Sequence, residues 1–320
     1  MEEFKISKFE KAPFLELDNY KAPKGIESYF IKMNDEIRIR VCHWILKNNK
    51  KGTILLQQGH NEFIEKYYET VQEFINRGFS VIAFDWRGQG MSDRQIKDQN
   101  KSYIEDFSRH DQDIDYILKN IINIYFPKPL IGIGHSMGGC LMLSAFHNYK
   151  NQFALGILSA PMLGFKNEKF LRTASSLMNI FKKDTDYLLG SKPNMGKETP
   201  FVENDLTSDP DRYERTLKLV RKKPEIRLWG VTNSFAKAVN RRFKIIRKKG
   251  WAEKIDVKIL ILNSLKDRVV YSNKIIEMSE RIKNSKLVKF DNCEHEIFME
   301  KDTYRDKAWI EIDSFLRKNL

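Results

Sequence analysis

The chain has 320 residues, 56 Lys and Arg against 43 Asp and Glu, and a formal net charge of +13. That length suits one large core carrying an insertion, and no stretch approaches the ~20 apolar residues of a membrane span. Its three cysteines, Cys42, Cys140 and Cys293, are an odd number without framework spacing and read as reduced thiols. Met1 to Asp18 is charged throughout and lacks the apolar region of a signal peptide, so a cytoplasmic location is expected. Residues 26–160 read as strands, helices and short connections. Thr53-Ile54-Leu55-Leu56-Gln57 is the third strand, followed by the loop Gln58-Gly59-His60-Asn61-Glu62. Leu130, Ile131 and Ile133 read as the end of a buried parallel strand. They run into Gly134-His135-Ser136-Met137-Gly138, a G-x-S-x-G pentapeptide, and from Met137 the residues Cys140, Leu141, Met142, Leu143, Ala145 and Phe146 read as a buried helix. Phe153 to Leu158 is the sixth strand. From about 164 to 254 strand signals vanish, and helical patterns punctuated by Pro193-Asn194-Met195-Gly196 and Ser208-Asp209-Pro210 take over. The core resumes near Ile255 with a strand over Val257 to Asn263, and Asp267 lies in the loop past its carboxyl end. A helical pattern through Ile275, Ile276, Met278 and Ile282, a strand over Lys286 to Phe290 and a loop holding His295 follow. An amphipathic helix through Tyr304, Trp309, Ile312 and Phe315 closes the chain.

A serine in a strand-to-helix corner sits in a strained conformation with its hydroxyl exposed at the sheet edge. The turn closes only if the residues two before and two after it lack side chains, as Gly134 and Gly138 do. Ser136, Asp267 and His295 all fall at strand carboxyl ends, where open α/β sheets build their sites. A serine hydroxyl becomes a good nucleophile when a neutral imidazole accepts its proton, and a carboxylate fixes that imidazole's tautomer. The oxyanion needs about two backbone N–H donors. Met137 N–H is one candidate, and His60 N–H, in the loop after the third strand, is the other. His60 is also the serious rival to His295 as base, whereas His135 is expected to point away from the serine. Asp291 and Glu294 are the rivals to Asp267. His295-Glu296 is followed by Met299 where the H-E-x-x-H zinc pattern needs a second histidine. No phosphate loop and no C-x-x-C pair is present, and neither a metal nor a cofactor is expected.

With these pieces in place, the chain resembles an α/β-hydrolase of the family that groups bacterial lysophospholipases, monoacylglycerol lipases and some serine aminopeptidases. The resemblance rests on Gln58 to Glu62 with Tyr67, Phe84-Asp85-Trp86-Arg87-Gly88-Gln89-Gly90-Met91-Ser92, Gly134 to Gly139 and Ser159-Ala160-Pro161-Met162. Asn204 to Asp209 with Arg212-Tyr213, Asp267 to Val270, and His295-Glu296 with Glu300 complete it. The segments Asp85 to Ser92 and Asn204 to Tyr213 resemble the bacterial lysophospholipase branch most. The resemblance implies a mostly parallel sheet with helices on both faces and a helical cap inserted after the sixth strand. The core would span 1–163 and 255–320 and the cap 164–254. It further implies Ser136, Asp267 and His295 as the triad, His60 and Met137 as the oxyanion hole, and a structural role for Asp85 and Arg87. The chain departs from the family in having Gln58 and Trp86 where histidines are common. It also lacks the usual proline and aromatic around Gly230-Val231-Thr232-Asn233.

From Arg212 to Lys254 fifteen Lys and Arg face three acids, which is +12 of the net +13. The clusters at Arg221 to Lys223 and Arg241 to Lys249 flank an apolar stripe of Leu228, Trp229, Phe235, Val239, Phe243 and Ile246, read as helical. One reading is a cap helix packing on the core. The sharper one is an interfacial helix that holds the mouth of the site against anionic lipid on the inner face of the membrane. No nucleic-acid module accompanies the charge, and nucleic acid is not an expected partner. The expected activity is hydrolysis of carboxylic esters of single-chain lipids, lysophospholipids first, through an acyl-enzyme on Ser136. Monoacylglycerol lipase or general esterase is the alternative. A serine aminopeptidase, with Glu198, Glu203 or Asp205 holding the substrate's ammonium, ranks lower, and a non-catalytic lipid-binding protein lowest.

Overall fold

The computed structural model describes residues 9–47, 51–166, 168, 184–188 and 193–320. Met1 to Lys8, and within the expected cap residues 167, 169–183 and 189–192, lie outside the described residues. In chain order the strands are β1 Glu10–Lys11, β2 Glu27–Lys32, β3 Arg38–Trp44, β4 Thr53–Gln57, β5 Ser80–Phe84, β6 Lys101–Ser102, β7 Leu130–His135, β8 Leu155–Ser159, β9 Gly230–Val231, β10 Lys258–Ser264 and β11 Ser285–Phe290. Nine of them form one sheet in the order β1-β2-β3-β5-β4-β7-β8-β10-β11. Pairing is antiparallel from β1 through β3 to β5 and parallel from β5 to β11.

The apolar runs explain this sheet. Every residue of β4, β5, β7 and β8 is buried, which is the environment of a parallel strand covered on both faces. Successive side chains then enter opposite cores. Leu55, Ile82, Phe84, Ile259 and Ile261 join one apolar cluster, and Ile54, Leu56, Val81, Ala83, Leu260 and Leu262 the other. Helices α2 (Ser108–Ile117), α3 (Ser136–Asn148) and α6 (Ser272–Arg281) cover the first face. Helices α1 (Tyr68–Asn76) and α7 (Asp302–Asn319) cover the second. Helix α3 approaches closely because Gly132 of β7 pairs with Gly156 of β8. A Cβ on either would meet the Phe146 ring, at 2.6 and 2.5 Å.

Between β8 and β10 the described chain adds no strand to this sheet. Helix α4 (Pro210–Lys222) starts with proline at its first position and with Asp209 accepting from Arg212 N at 2.8 Å. Helix α5 (Asn233–Ile246) buries Phe235, Ala238, Val239, Phe243 and Ile246 on one face, the spacing of an amphipathic helix. Leu228 and Trp229 are not on that stripe. They precede the helix in extended chain that ends in β9, and β9 pairs with β6 as a separate two-stranded sheet. A pairing two residues long has no hydrophobic period, so the sequence pattern ran straight through it.

Candidate active site

Strand β7 delivers Ser136 to the first position of α3 with φ +50°, a left-handed conformation that costs a residue with a Cβ roughly 1–2 kcal/mol. The flanking glycines are required by space. A Cβ at Gly134 would lie 2.5 Å from Gly138 O, and one at Gly138 would lie 2.4 Å from Gln58 O. Asp267 follows β10. Its Oδ1 accepts from Val269 N at 2.7 Å and Val270 N at 2.9 Å, which leaves Oδ2 to accept from His295 Nδ1 at 2.6 Å. His295 Nε2 then faces Ser136 Oγ at 2.9 Å. With Nδ1–H donated to the carboxylate, the Nε2 lone pair is aimed at the hydroxyl, so the line of atoms can take the serine's proton as Oγ attacks a carbonyl carbon. The loop bearing His295 is held by Glu294 N donating to Glu300 Oε1 at 2.7 Å and Glu296 N to Leu206 O at 2.8 Å.

The rivals are engaged elsewhere. His60 Nε2 pairs with Ser102 Oγ at 2.6 Å, its ring packs 4.6 Å from that of Phe235, and burial pushes its imidazole down to about 4. Asp291 is exposed, and Glu294 pairs with Lys266 and Arg268. His135, expected to point away, lines the same cavity as Ser136 with its ring 4.7 Å from that of His295. Its Nδ1 lies 3.2 Å from Ser159 O, which holds the ring packed beside that of His295.

Two backbone donors stand ready nearby. Gly59 N–H goes to Glu62 Oε2 and Asn61 N–H to Gln89 Oε1, both at 2.5 Å, while His60 N–H between them has no acceptor among the described residues. Met137 N–H lies in the first turn of α3, where no helix carbonyl can take it. The positions departing from the family motif compensate each other: Trp86 Nε1 donates to Gln58 O at 2.8 Å, and Gln58 Nε2 donates to Asp85 Oδ1 at 3.0 Å. Asp85 also accepts from Arg40 Nε and from Met91 N, each at 2.7 Å, as a structural hub of the loop.

Sequence reading missed a buried charge cluster beside this site. Lys66 Nζ bonds Glu62 Oε1 at 2.6 Å and Glu296 Oε1 at 2.5 Å. Burial raises both carboxyls. Glu62, which also accepts from Tyr67 OH, ends below its ordinary value through Lys66, and Glu296 ends above its own. Glu62, His135 and Glu296 offer ligand atoms within 4.8 Å of one another, the spacing of a cation site, but the cation there is the chain's own ammonium. The i,i+4 spacing of Glu62 and Lys66 was the available signal. Ser136 and His295 open into a cavity of about 410 Å³ with a mainly apolar lining that includes Met162, Phe165, Val220 and Phe235.

The family described as "Serine aminopeptidase, S33" (Hydrolase_4) matches residues 48–302. The chain belongs to this family. Among curated relatives, the probable lysophospholipase L2 of Haemophilus influenzae is 26% identical over 269 residues, spanning 82% of this chain and 83% of that one. Lysophospholipase L2 of Escherichia coli K12 is 24% identical over 200 residues, 62% of this chain and 58% of the relative. A soluble variant of the Saccharomyces cerevisiae monoglyceride lipase superposes with a TM-score of 0.74 at 18% identity, covering 95% of this chain and 100% of that one. A thermostable carboxyl esterase from Bacillus coagulans superposes with a TM-score of 0.73 at 18% identity, covering 93% and 99%. Family membership and fold make this chain an α/β-hydrolase and a carboxylic ester hydrolase.

Proposed function

We propose that this protein is a lysophospholipase in which Ser136 attacks the ester carbonyl and carries the acyl group. His295 accepts the Ser136 proton and passes it to the departing glycerol oxygen, and Asp267 stabilises the imidazolium between the two steps. The N–H groups of His60 and Met137 receive the oxyanion, each contributing about 3 kcal/mol to transition-state stabilisation. Water then enters and gives its proton to His295 as its oxygen attacks the acyl carbonyl carbon; the Ser136 Oγ–acyl bond breaks, His295 returns the proton to Oγ, and the fatty acid leaves. The observation that carries this reading is the hydrogen-bonded line Asp267–His295–Ser136 opening into an apolar cavity. At about 410 Å³ that cavity lies within the ~300–1,000 Å³ of small-molecule sites. Relatives named lysophospholipase L2 support the choice of head group.

The described residues of 164–254 act as a cap over the site, since α4 and the chain from Arg227 to Phe235 contribute to the cavity wall. The aminopeptidase alternative needs a free carboxylate to hold an ammonium. Glu62 and Glu296 are both bonded to Lys66, Glu198 is paired with Arg221, and Asp205 with Arg268, while Glu203 is exposed and does not line the cavity. A hydrolysis panel tests the reading with 1-acyl lysophosphatidylcholine, the monoacylglycerol of the same chain and an aminoacyl p-nitroanilide. The highest kcat/KM is expected on the lysophospholipid, and a faster p-nitroanilide would transfer the protein to the aminopeptidases.

A further inference from the structure

Two Lys or Arg side chains line the cavity among the described residues, Lys66 and Arg227. Lys66 is neutralised by two carboxylates. Arg227 is not. Its Nη1 is shut off from solvent and has no hydrogen-bond partner among the described residues, and the half-buried side chain lines the cavity without an acid in ion-pair contact. The other six arginines between Arg212 and Arg247 each have an acid within ion-pair distance: Arg212 and Arg215 share Glu69, and Arg221, Arg241, Arg242 and Arg247 meet Glu198, Asp106, Asp111 and Glu168. The backbone on both sides of Arg227 is fixed. Ile226 and Leu228 are each 1% exposed, Arg227 N donates to Pro224 O at 3.2 Å, and Leu228 N donates to Asn61 Oδ1 at 2.6 Å. A half-buried guanidinium on a mainly apolar wall, with one N–H desolvated and unpaired and no acid in ion-pair contact, is costly, and an anion beside its open edge offsets that cost. Its planar fork matches two oxygens of a phosphate better than it matches any neutral glycerol hydroxyl.

We propose that Arg227 is the subsite for the phosphate of the substrate head group, and that it makes the enzyme select single-chain phospholipids over uncharged monoacylglycerols. This rests on the esterase reading of Ser136 and adds the determinant of head-group choice. The acyl chain lies against the Phe165, Val220 and Phe235 part of the wall, and the phosphate meets the cavity-lining Arg227 guanidinium, which forms no ion pair among the described residues.

The test compares wild type, Arg227→Met and Arg227→Lys on a lysophospholipid and a monoacylglycerol of identical acyl chain. The ratio of the two kcat/KM values is expected to fall at least tenfold in Arg227→Met, chiefly through KM for the phospholipid, and to recover in part in Arg227→Lys. A ratio within twofold of wild type overturns the assignment. A second measurement does not depend on the lipid substrate: sn-glycerol 3-phosphate should inhibit hydrolysis of p-nitrophenyl butyrate competitively, with an inhibition constant at least tenfold higher in Arg227→Met. Equal inhibition of both proteins, no inhibition of wild type, or equal potency of inorganic phosphate overturns the head-group subsite. If wild type cleaves neither lipid yet shows this Arg227-dependent inhibition, the function reading fails while the anion site stands. The thermal midpoint of Arg227→Met should equal or exceed that of wild type, because a desolvated N–H without a partner among the described residues is removed. A lower midpoint would mean that Arg227 holds the fold through a partner, and would overturn the proposal.

Discussion

At the scale of single residues, the role proposed for Ser136 rests on its backbone as much as on its hydroxyl. Ser136→Ala is expected to leave the fold intact and lower kcat by about 10⁴- to 10⁶-fold, and a fluorophosphonate probe should label wild type but not the variant. Persistent labelling at another serine would remove Ser136 from the role. The φ of +50° adds a stability outcome. Ser136→Gly should be more stable than Ser136→Ala by about 1 kcal/mol, because glycine enters the left-handed region without the Cβ clash, less its own entropy cost. Equal unfolding midpoints for the two would show that the elbow stores no strain. For the partners of Ser136, His295→Ala should be about as damaging as loss of the serine. Asp267→Asn should be severe with an unchanged fold, since an amide favours the wrong imidazole tautomer. Rates that ranked His60→Ala below His295→Ala would reassign the base.

Secondary-structure elements divide sharply into those the sequence announced and those it hid. The runs at Thr53–Gln57, Leu130–His135 and Lys258–Ser264 are legible because strands buried on both faces must be apolar throughout. The elbow is legible because two glycines at fixed offsets have a steric reason. The engagement of Gln89 with Asn61 N, the grip of Asn61 on Leu228 and the free Nη1 of Arg227 were not, since their partners or vacancies lie far away in the chain and leave no local pattern. Helix α5 shows a mixed case. Its apolar face holds Phe235, Val239, Phe243 and Ile246 of the expected stripe but not Leu228 and Trp229, and the charges in and just after it are of two kinds. Arg242 and Arg247 are spent on Asp111, Glu168 and Leu163 O, whereas Lys244, Lys248 and Lys249 are exposed and meet no acid among the described residues. Only the latter three are free for an anionic lipid surface, at about 1 kcal/mol each. Lys244, Lys248 and Lys249 changed together to Gln should weaken sedimentation with phosphatidylserine vesicles while p-nitrophenyl butyrate turnover holds. Equal vesicle binding would leave α5 as a packed, solvated helix.

Across the whole molecule, buried neutral histidines set an acid limit on stability. Burial pushes His60 down to about 4 and His135 down to about 3. The unfolded chain protonates these imidazoles near pH 6.5, so between ~6.5 and ~4 the unfolded state binds more protons than the folded one. Stability is therefore full above about pH 6.5 and falls as the pH drops, by up to about 1.4 kcal/mol per pH unit for each group. Urea unfolding across this range should show that slope, and His135→Asn should make it shallower. An identical slope in the variant would place the acid sensitivity in other groups.

Asn61 ties the loop at 59–61 to the chain above it with both ends of its amide, Nδ2 to Leu228 O at 3.1 Å and Oδ1 from Leu228 N at 2.6 Å. His60 adds its bond to Ser102, whose strand pairs with Gly230–Val231. The proposed oxyanion donor is thus tied to the ribbon at 228–232 by side-chain and strand bonds. If substrate enters by displacing that ribbon, His60 N–H is displaced with it, and hydrolysis should then coincide with closure. Asn61→Gly, which keeps the residue's own φ of +60° accessible, severs this linkage without straining the turn. Its signature should be a kcat on p-nitrophenyl butyrate lowered about tenfold with KM little changed, the mark of an interaction made only in the transition state. An unaltered kcat would show that the two motions are uncoupled.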